Sequence, residues 1–143
     1  MNYKKQAKQL ENFLEEEVKK TMPLAILPDN SLVYKRYKIK QNKKGTWNLS
    51  YLGGDFIEEF KIKTTATLAA KFYDRDNFTR YNEVKMLDVQ YWTNSIDATI
   101  FKYRRENTKD YDKQDLYTWR WEIADSRAKH YKELISRMFK ANF

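Results

Sequence analysis

Apolar side chains recur at Tyr3, Ala7, Leu10, Leu14 and Val18, at steps of four, three, four and four residues. That spacing is one stripe of a helix and predicts a helical segment over 1–22. Pro23 and Pro28 then bracket a short apolar connector, "LAIL". From Leu32 the period falls to two. Val33, Tyr37 and Ile39 alternate with Tyr34, Arg36, Lys38 and Lys40; Trp47, Leu49 and Tyr51 alternate with Thr46, Asn48 and Ser50; Phe56, Phe60 and Ile62 alternate with Ile57, Glu59 and Lys61. The turn signals "QNKKG" and "GGD" separate these runs. Three strands with tight turns predict an antiparallel meander over 31–63, apolar on one face and wet on the other.

After the meander the period returns to that of a helix. "KTTATLAAKFY" predicts a short helix over 64–74, with Thr64 or Thr65 as its N-cap, and Asn77 is placed to cap the next one. Over 77–106 the stripe is Val84, Leu87, Tyr91, Asn94, Ala98 and Phe101; over 112–140 it is Tyr117, Trp121, Ala124, Ala128, Tyr131, Ile135 and Met138. Both stripes are heptad-like and the connector "NTKDYD" is short, so the two helices should pack side by side as an antiparallel hairpin. The expected architecture is a single α+β domain over 1–143. In it the amino-terminal helix and the long hairpin cover the apolar face of the three-stranded meander.

The hairpin stripe carries polar residues where hydrocarbon would be expected. Antiparallel pairing about a turn near residues 108–109 sets Asp97 against Arg120 and Asp88 between Arg127 and His130, with Asn94 one turn from both arginines. Buried charges persist only when paired, so the first reading is a register-setting cluster of ion pairs. The alternative is a small-anion site between the helices, since a carboxylate, an amide, a histidine and arginines suit such a ligand.

Composition narrows the chemistry. A chain of 143 residues with 16% aromatics can fill one core. There is no cysteine, which removes disulfides and thiolate metal sites, and a single histidine leaves no zinc set. The first residues, "MNYKKQAKQLENF", lack an apolar h-region, and no apolar run reaches the length of a membrane span. The expectation is a cytoplasmic or virion-associated protein with no membrane, cofactor or metal. Of the formal charge of +8, residues 31–63 account for eight basic against three acidic side chains. That concentration favours an anionic partner near the meander; the plain alternative is a solvated lysine face.

No phosphate loop or nucleophile set is present, and "DYDKQD" reads as a helix N-cap with acidic residues in the first turn. "PD" at Pro28–Asp29 and "EFK" at Glu59–Lys61 resemble the motifs of the PD-(D/E)xK nucleases. The resemblance implies Asp29 and Glu59 as Mg²⁺ ligands and Lys61 as the group orienting water. Against it, Asp29 precedes the first strand, where that family carries its acid on the second.

The outer face of the meander would present Tyr34, Arg36, Lys38, Lys40, Asn48, Lys61 and Lys63, with Lys43 and Lys44 on the first turn. Such side chains neutralise phosphates, with Asn able to reach base edges. The stretch "GTWNLSY…EEFKIKTTATLAAKFYDRDNF" resembles the three-strand-plus-helix DNA modules of AP2-type and integrase-arm domains, though without their regular strand arginines. The phrases "LPDNSLVYK", "AAKFYDRDNF" and "DVQYWTNSID" look like those of small uncharacterised proteins of marine T4-like phages. The expectation is therefore a non-enzymatic binding protein, a phage accessory protein that takes DNA or RNA on its sheet. The competing class is an assembly protein that joins itself or another phage protein through helix faces, with Trp92, Ile96, Ile100 and Tyr103 as a second apolar stripe.

Overall fold

The computed structural model describes Met22 and residues 24–140; the helix expected over 1–22 falls otherwise outside the described residues. The chain is α+β. One antiparallel sheet runs in the order β1 (Ala25–Ile26), β2 (Leu32–Tyr34), β3 (Tyr37–Gln41), β4 (Trp47–Tyr51), β5 (Phe56–Phe60). Three helices follow: α1 (Lys63–Asp74), α2 (Phe78–Glu106) and α3 (Tyr111–Lys140).

The sheet has five strands, where the alternation predicts three. Half of the "LAIL" connector pairs with β2 as an edge strand. The first expected strand is itself a hairpin, because the chain reverses at Lys35 and Arg36 and pairs Tyr34 with Tyr37. Lys35 takes φ 53° to make that reversal. The reversal also resets parity. Tyr34 and Tyr37 are three apart in sequence yet face the same side, and both are buried, at 4% and 1% exposure. Tyr34 therefore belongs to the core and not to the outer face. Of the two hairpin turns read from the sequence, each ends on a glycine with positive φ, Gly45 at 89° and Gly54 at 111°. There a side chain would strain the backbone.

A β-bulge breaks the alternation again. Leu49 pairs with Glu58 but Ser50 pairs with Phe56, so Ile57 is the extra residue. Phe60 stays inward opposite Trp47, while Phe56 is turned to the outer face and is 61% exposed.

The inner face is covered by α1, which packs across β2, β3, β4 and β5; α2 reaches the sheet chiefly at β5 and otherwise lies on α1, while α3 packs on α2. The hairpin thus covers the meander mainly through α1, and touches it directly only where α2 meets β5 through Tyr81 on Phe60 and Lys85 on Glu58. Every residue of α1 from Thr64 to Phe72 is buried, in keeping with a sequence of mostly small residues, and the buried Thr65 and Thr67 hydroxyls bond to the backbone carbonyls of Ile62 and Lys63. The core joins Ile39, Leu49, Phe60 and Ile62 to Leu68, Phe72 and Val84. At one end Tyr73 sits among the rings of Tyr37, Tyr51, Phe78 and Tyr81, mostly edge to face.

Neither Thr64 nor Thr65 is the N-cap of α1; that position is Ile62, whose side chain cannot accept. The acceptor comes from α2. Asp88 is 2% exposed and receives the peptide N–H groups of Lys61 (2.8 Å) and Ile62 (3.2 Å). Thr65 Oγ1 also contacts its carboxylate, and bonds to the Ile62 carbonyl at 3.0 Å. Desolvation raises the pKa of Asp88 above the ordinary aspartate value, against the pull of these donors.

Two outcomes follow. Asp88→Ala strands two buried peptide donors and a hydroxyl, and should cost about 3 kcal/mol in urea denaturation. Because the folded-state pKa is raised, the stability owed to this carboxyl is fully present below about pH 4, the unfolded value, and declines as pH rises through the folded value. The stability of wild type minus that of Asp88→Asn should therefore fall as pH rises above about 4; a difference that grows with rising pH would contradict the assignment.

Candidate nucleic-acid interface

The meander positions one group of expected binding residues together and disperses the rest. On the outer face Lys38, Ser50 and Phe56 form one cross-strand row, and Lys40, Asn48 and Glu59 form the next. The β3–β4 turn adds Lys43 and Lys44 at one end, and Leu52, Gly53 and Gly54 of the β4–β5 turn close the other side. These residues line two adjoining shallow hollows of about 500 and 470 Å³ that share Asn42, Lys43, Asn48 and Phe56; the first carries Lys38 and Lys40 and the second Lys44 and Glu59, and together they make one open groove. Lys40 reaches Asp29 at 3.6 Å, an exposed pair that water screens heavily.

Asn42 organises the turn end of the groove. Its carbonyl oxygen accepts from the peptide N–H groups of Lys44 and Thr46. Its amide donates to Thr46 Oγ1 (2.7 Å), Asn48 Oδ1 (3.0 Å) and Glu59 Oε2 (2.9 Å), and Thr46 Oγ1 donates to the same Glu59 oxygen at 2.8 Å. Those hydrogen bonds, Thr46's foremost, lower the Glu59 pKa, with Lys44 and Lys61 assisting. Glu59 is thus an ionised strut for the turn.

Other expected members lie elsewhere. Tyr34 is buried in the core. Arg36 stands at the β2–β3 turn, where its guanidinium donates to Tyr37 Oη at 3.2 Å and approaches Asp74 at 3.9 Å. Lys63 opens α1 and lies over the Trp47 ring. Lys61 is exposed just beyond β5, on the side of Glu59.

The nuclease-like set does not assemble. Asp29 is taken up by the Ser31 peptide N–H and Lys40, and Glu59 by Asn42 and Thr46. Lys40 and Asn48 stand in the rows between them. Among the described residues no group of three or more His, Asp or Glu side chains could hold a metal ion.

The polar residues of the hairpin are likewise dispersed. The helices do fold back head to tail: Phe101 stacks on Tyr117 with ring centroids 6.3 Å apart, and Ala98 and Ala124 are buried in the seam. The expected ion pairs are replaced by other partners. Asp88 points at the start of α1, where it accepts from the peptide N–H groups of Lys61 and Ile62. Asn94 donates to the Gln90 carbonyl of its own helix at 2.7 Å. Arg120 lies over the Phe101 ring, Asp97 is half-buried, and Arg127 and His130 are exposed. Across the seam cations lie over rings: Arg120 over Phe101, and Lys102 and Arg105 over Trp121.

Phe56, Asn42 and Leu52 were not legible as groove residues. Strict alternation sends Phe56 inward with Phe60, and nothing in "DFIEEF" marks the extra residue. Comparison of the chain with protein-family models, with curated proteins and with solved structures returned no match.

The two phenylalanines of β5 should behave oppositely. Phe60→Ala empties core volume and should cost about 3–5 kcal/mol. Phe56→Ala should change the unfolding free energy by less than about 0.5 kcal/mol, because the ring is already in water. Urea midpoints compare the two directly, and equal losses would refute the outward placement.

Proposed function

We propose that this protein is a non-enzymatic binder of nucleic acid, and that the outer face of its sheet is the contact surface. The observation that carries the reading is the groove itself. Four lysines, Lys38, Lys40, Lys43 and Lys44, surround it, and its one carboxylate is already occupied by Asn42 and Thr46. Among the described residues no helix packs on this face. Lysines clustered on one open face attract a polyanion by long-range field and bind it by displacing its counterions. Asn48 and Ser50 lie between the lysine row and Phe56, where amide and hydroxyl groups can reach polar edges of a base. The phrase-level likeness to marine T4-like phage proteins supports an accessory role in a phage for such a binder.

Combined reversal of Lys38, Lys40 and Lys43 to Glu should abolish retention of DNA and RNA at low salt. The wild-type affinity should fall with a slope of log K against log salt of roughly −2 to −4, as expected for three or four phosphate contacts. Wild type that ignores polynucleotides at low salt ends this reading.

A second reading, assembly through helix faces, has one observation in its favour. The end of the hairpin remote from the sheet shows Tyr103, Leu116 and Trp119 at 45%, 42% and 59% exposure. If copies join there, sedimentation should find a species above monomer mass that Leu116→Glu with Trp119→Glu reduces to monomer. A clean wild-type monomer across micromolar concentrations excludes it.

A further inference from the structure

The proposed nucleic-acid reading leaves open which form of nucleic acid is bound, and the bulge in β5 bears on that. Two aromatic residues on strands line the basic groove, but Tyr51 is packed against Tyr37 and Tyr73, which leaves Phe56 as the exposed ring. Its ring is 61% exposed and adds little to the core. It stands in the same cross-strand row as Ser50 and Lys38, two strand spacings or about 10 Å from the lysine. In the neighbouring β4–β5 turn a Cβ at Gly53 or Gly54 would meet nothing within 4 Å, so that turn does not crowd this side of the groove. Resting on this reading, we propose that the groove takes a single strand, with an unpaired base laid flat on Phe56 and neighbouring phosphates held by Lys38 and Lys40.

The chemistry of the two forms separates them. In a duplex the flat faces of the bases are stacked on one another, and only edges and phosphates are presented. An exposed ring has nothing to stack on there, whereas in a single strand each base offers a free π-face. Lys38 and Lys40 lie two residues apart on one face of β3, about 7 Å, and so form a short basic rail parallel to the strand. Glu59, ionised and fixed in the adjoining row, keeps phosphate off the β5 side of that row. The backbone is thereby directed to the β3 side, and a base is left to cross toward Phe56. Lysines alone would bind both forms by charge; the ring adds a preference.

The test is fluorescence anisotropy of the whole protein with labelled oligodeoxythymidine, the same strand made abasic, and a duplex of equal length. Single-strand affinity should exceed that for the duplex. Phe56→Ala should weaken oligodeoxythymidine binding by about tenfold or more, the loss expected for one stacked base, and leave duplex binding within about twofold. Phe56→Trp should retain single-strand binding, and the abasic strand should bind wild type as weakly as oligodeoxythymidine binds Phe56→Ala. If Phe56→Ala leaves oligodeoxythymidine binding unchanged while Lys38→Glu with Lys40→Glu removes it, the stacking inference falls and the nucleic-acid reading survives. Equal affinity for duplex and single strand has the same meaning. If wild type binds none of the probes, or binds polyglutamate as well as it binds oligodeoxythymidine, both fall together.

Discussion

A single carboxylate governs how the layers of this protein meet. Asp88 projects from the second helix into the junction where the last strand becomes the first helix, and there it accepts from two consecutive peptide N–H groups and contacts a threonine hydroxyl. The junction needs an external acceptor because Ile62, at the N-cap, supplies none. A buried donor left unpaired is costly, so the acceptor fixes both where α1 begins and how α2 lies across it. With α1 seated, its residues bury against β2 to β5, and among the described residues no helix packs on the other face of the sheet. The open groove is thus a consequence of where the helices are held.

The sheet departs from simple alternation twice, and both departures shape the candidate interface. The reversal at Lys35 and Arg36 takes Tyr34 into the core and commits Arg36 to the far turn. The extra residue at Ile57 carries Phe56 out onto the lysine-bearing face while leaving Phe60 in place. The first departure removes an aromatic residue from the expected surface, and the second supplies one. A bulge that re-aims one side chain next to a binding surface is a common use of that irregularity.

Much of the fold was legible in the sequence. The α+β class, the antiparallel sheet with its Gly45 and Gly54 turns, the helix limits within a residue or so, the Asn77 cap and the head-to-tail hairpin all follow from periodicity and turn chemistry. So does the grouping of Lys38, Lys40, Lys43, Lys44 and Asn48. What escaped depends on parity or on distant partners. A two-residue turn between tyrosines, with no Asn or Gly to mark it, looks like one continuous strand. The role of Asp88 was misread because its spacing matched cations on α3, while its partners are backbone groups 26 or 27 residues earlier, which carry no sequence signal. Opposite charges at matching separations are cheap on a surface where Lys and Arg abound, and at this seam Arg120 lies over the Phe101 ring and not against Asp97.

The helices also differ greatly in reach. At 29 residues α2 is about 43 Å long, whereas a five-residue strand spans about 17 Å. No residue between Thr99 and Ile123 is buried, so among the described residues this stretch of the hairpin is a two-helix arm supported by its own seam. Its hydrogen-bonded turns can open from the tip without disturbing the sheet, whose opening requires loss of the core. The molecule therefore combines a rigid platform with a projecting limb of much lower local stability, and motion in the limb has no need to reach the lysine-lined face.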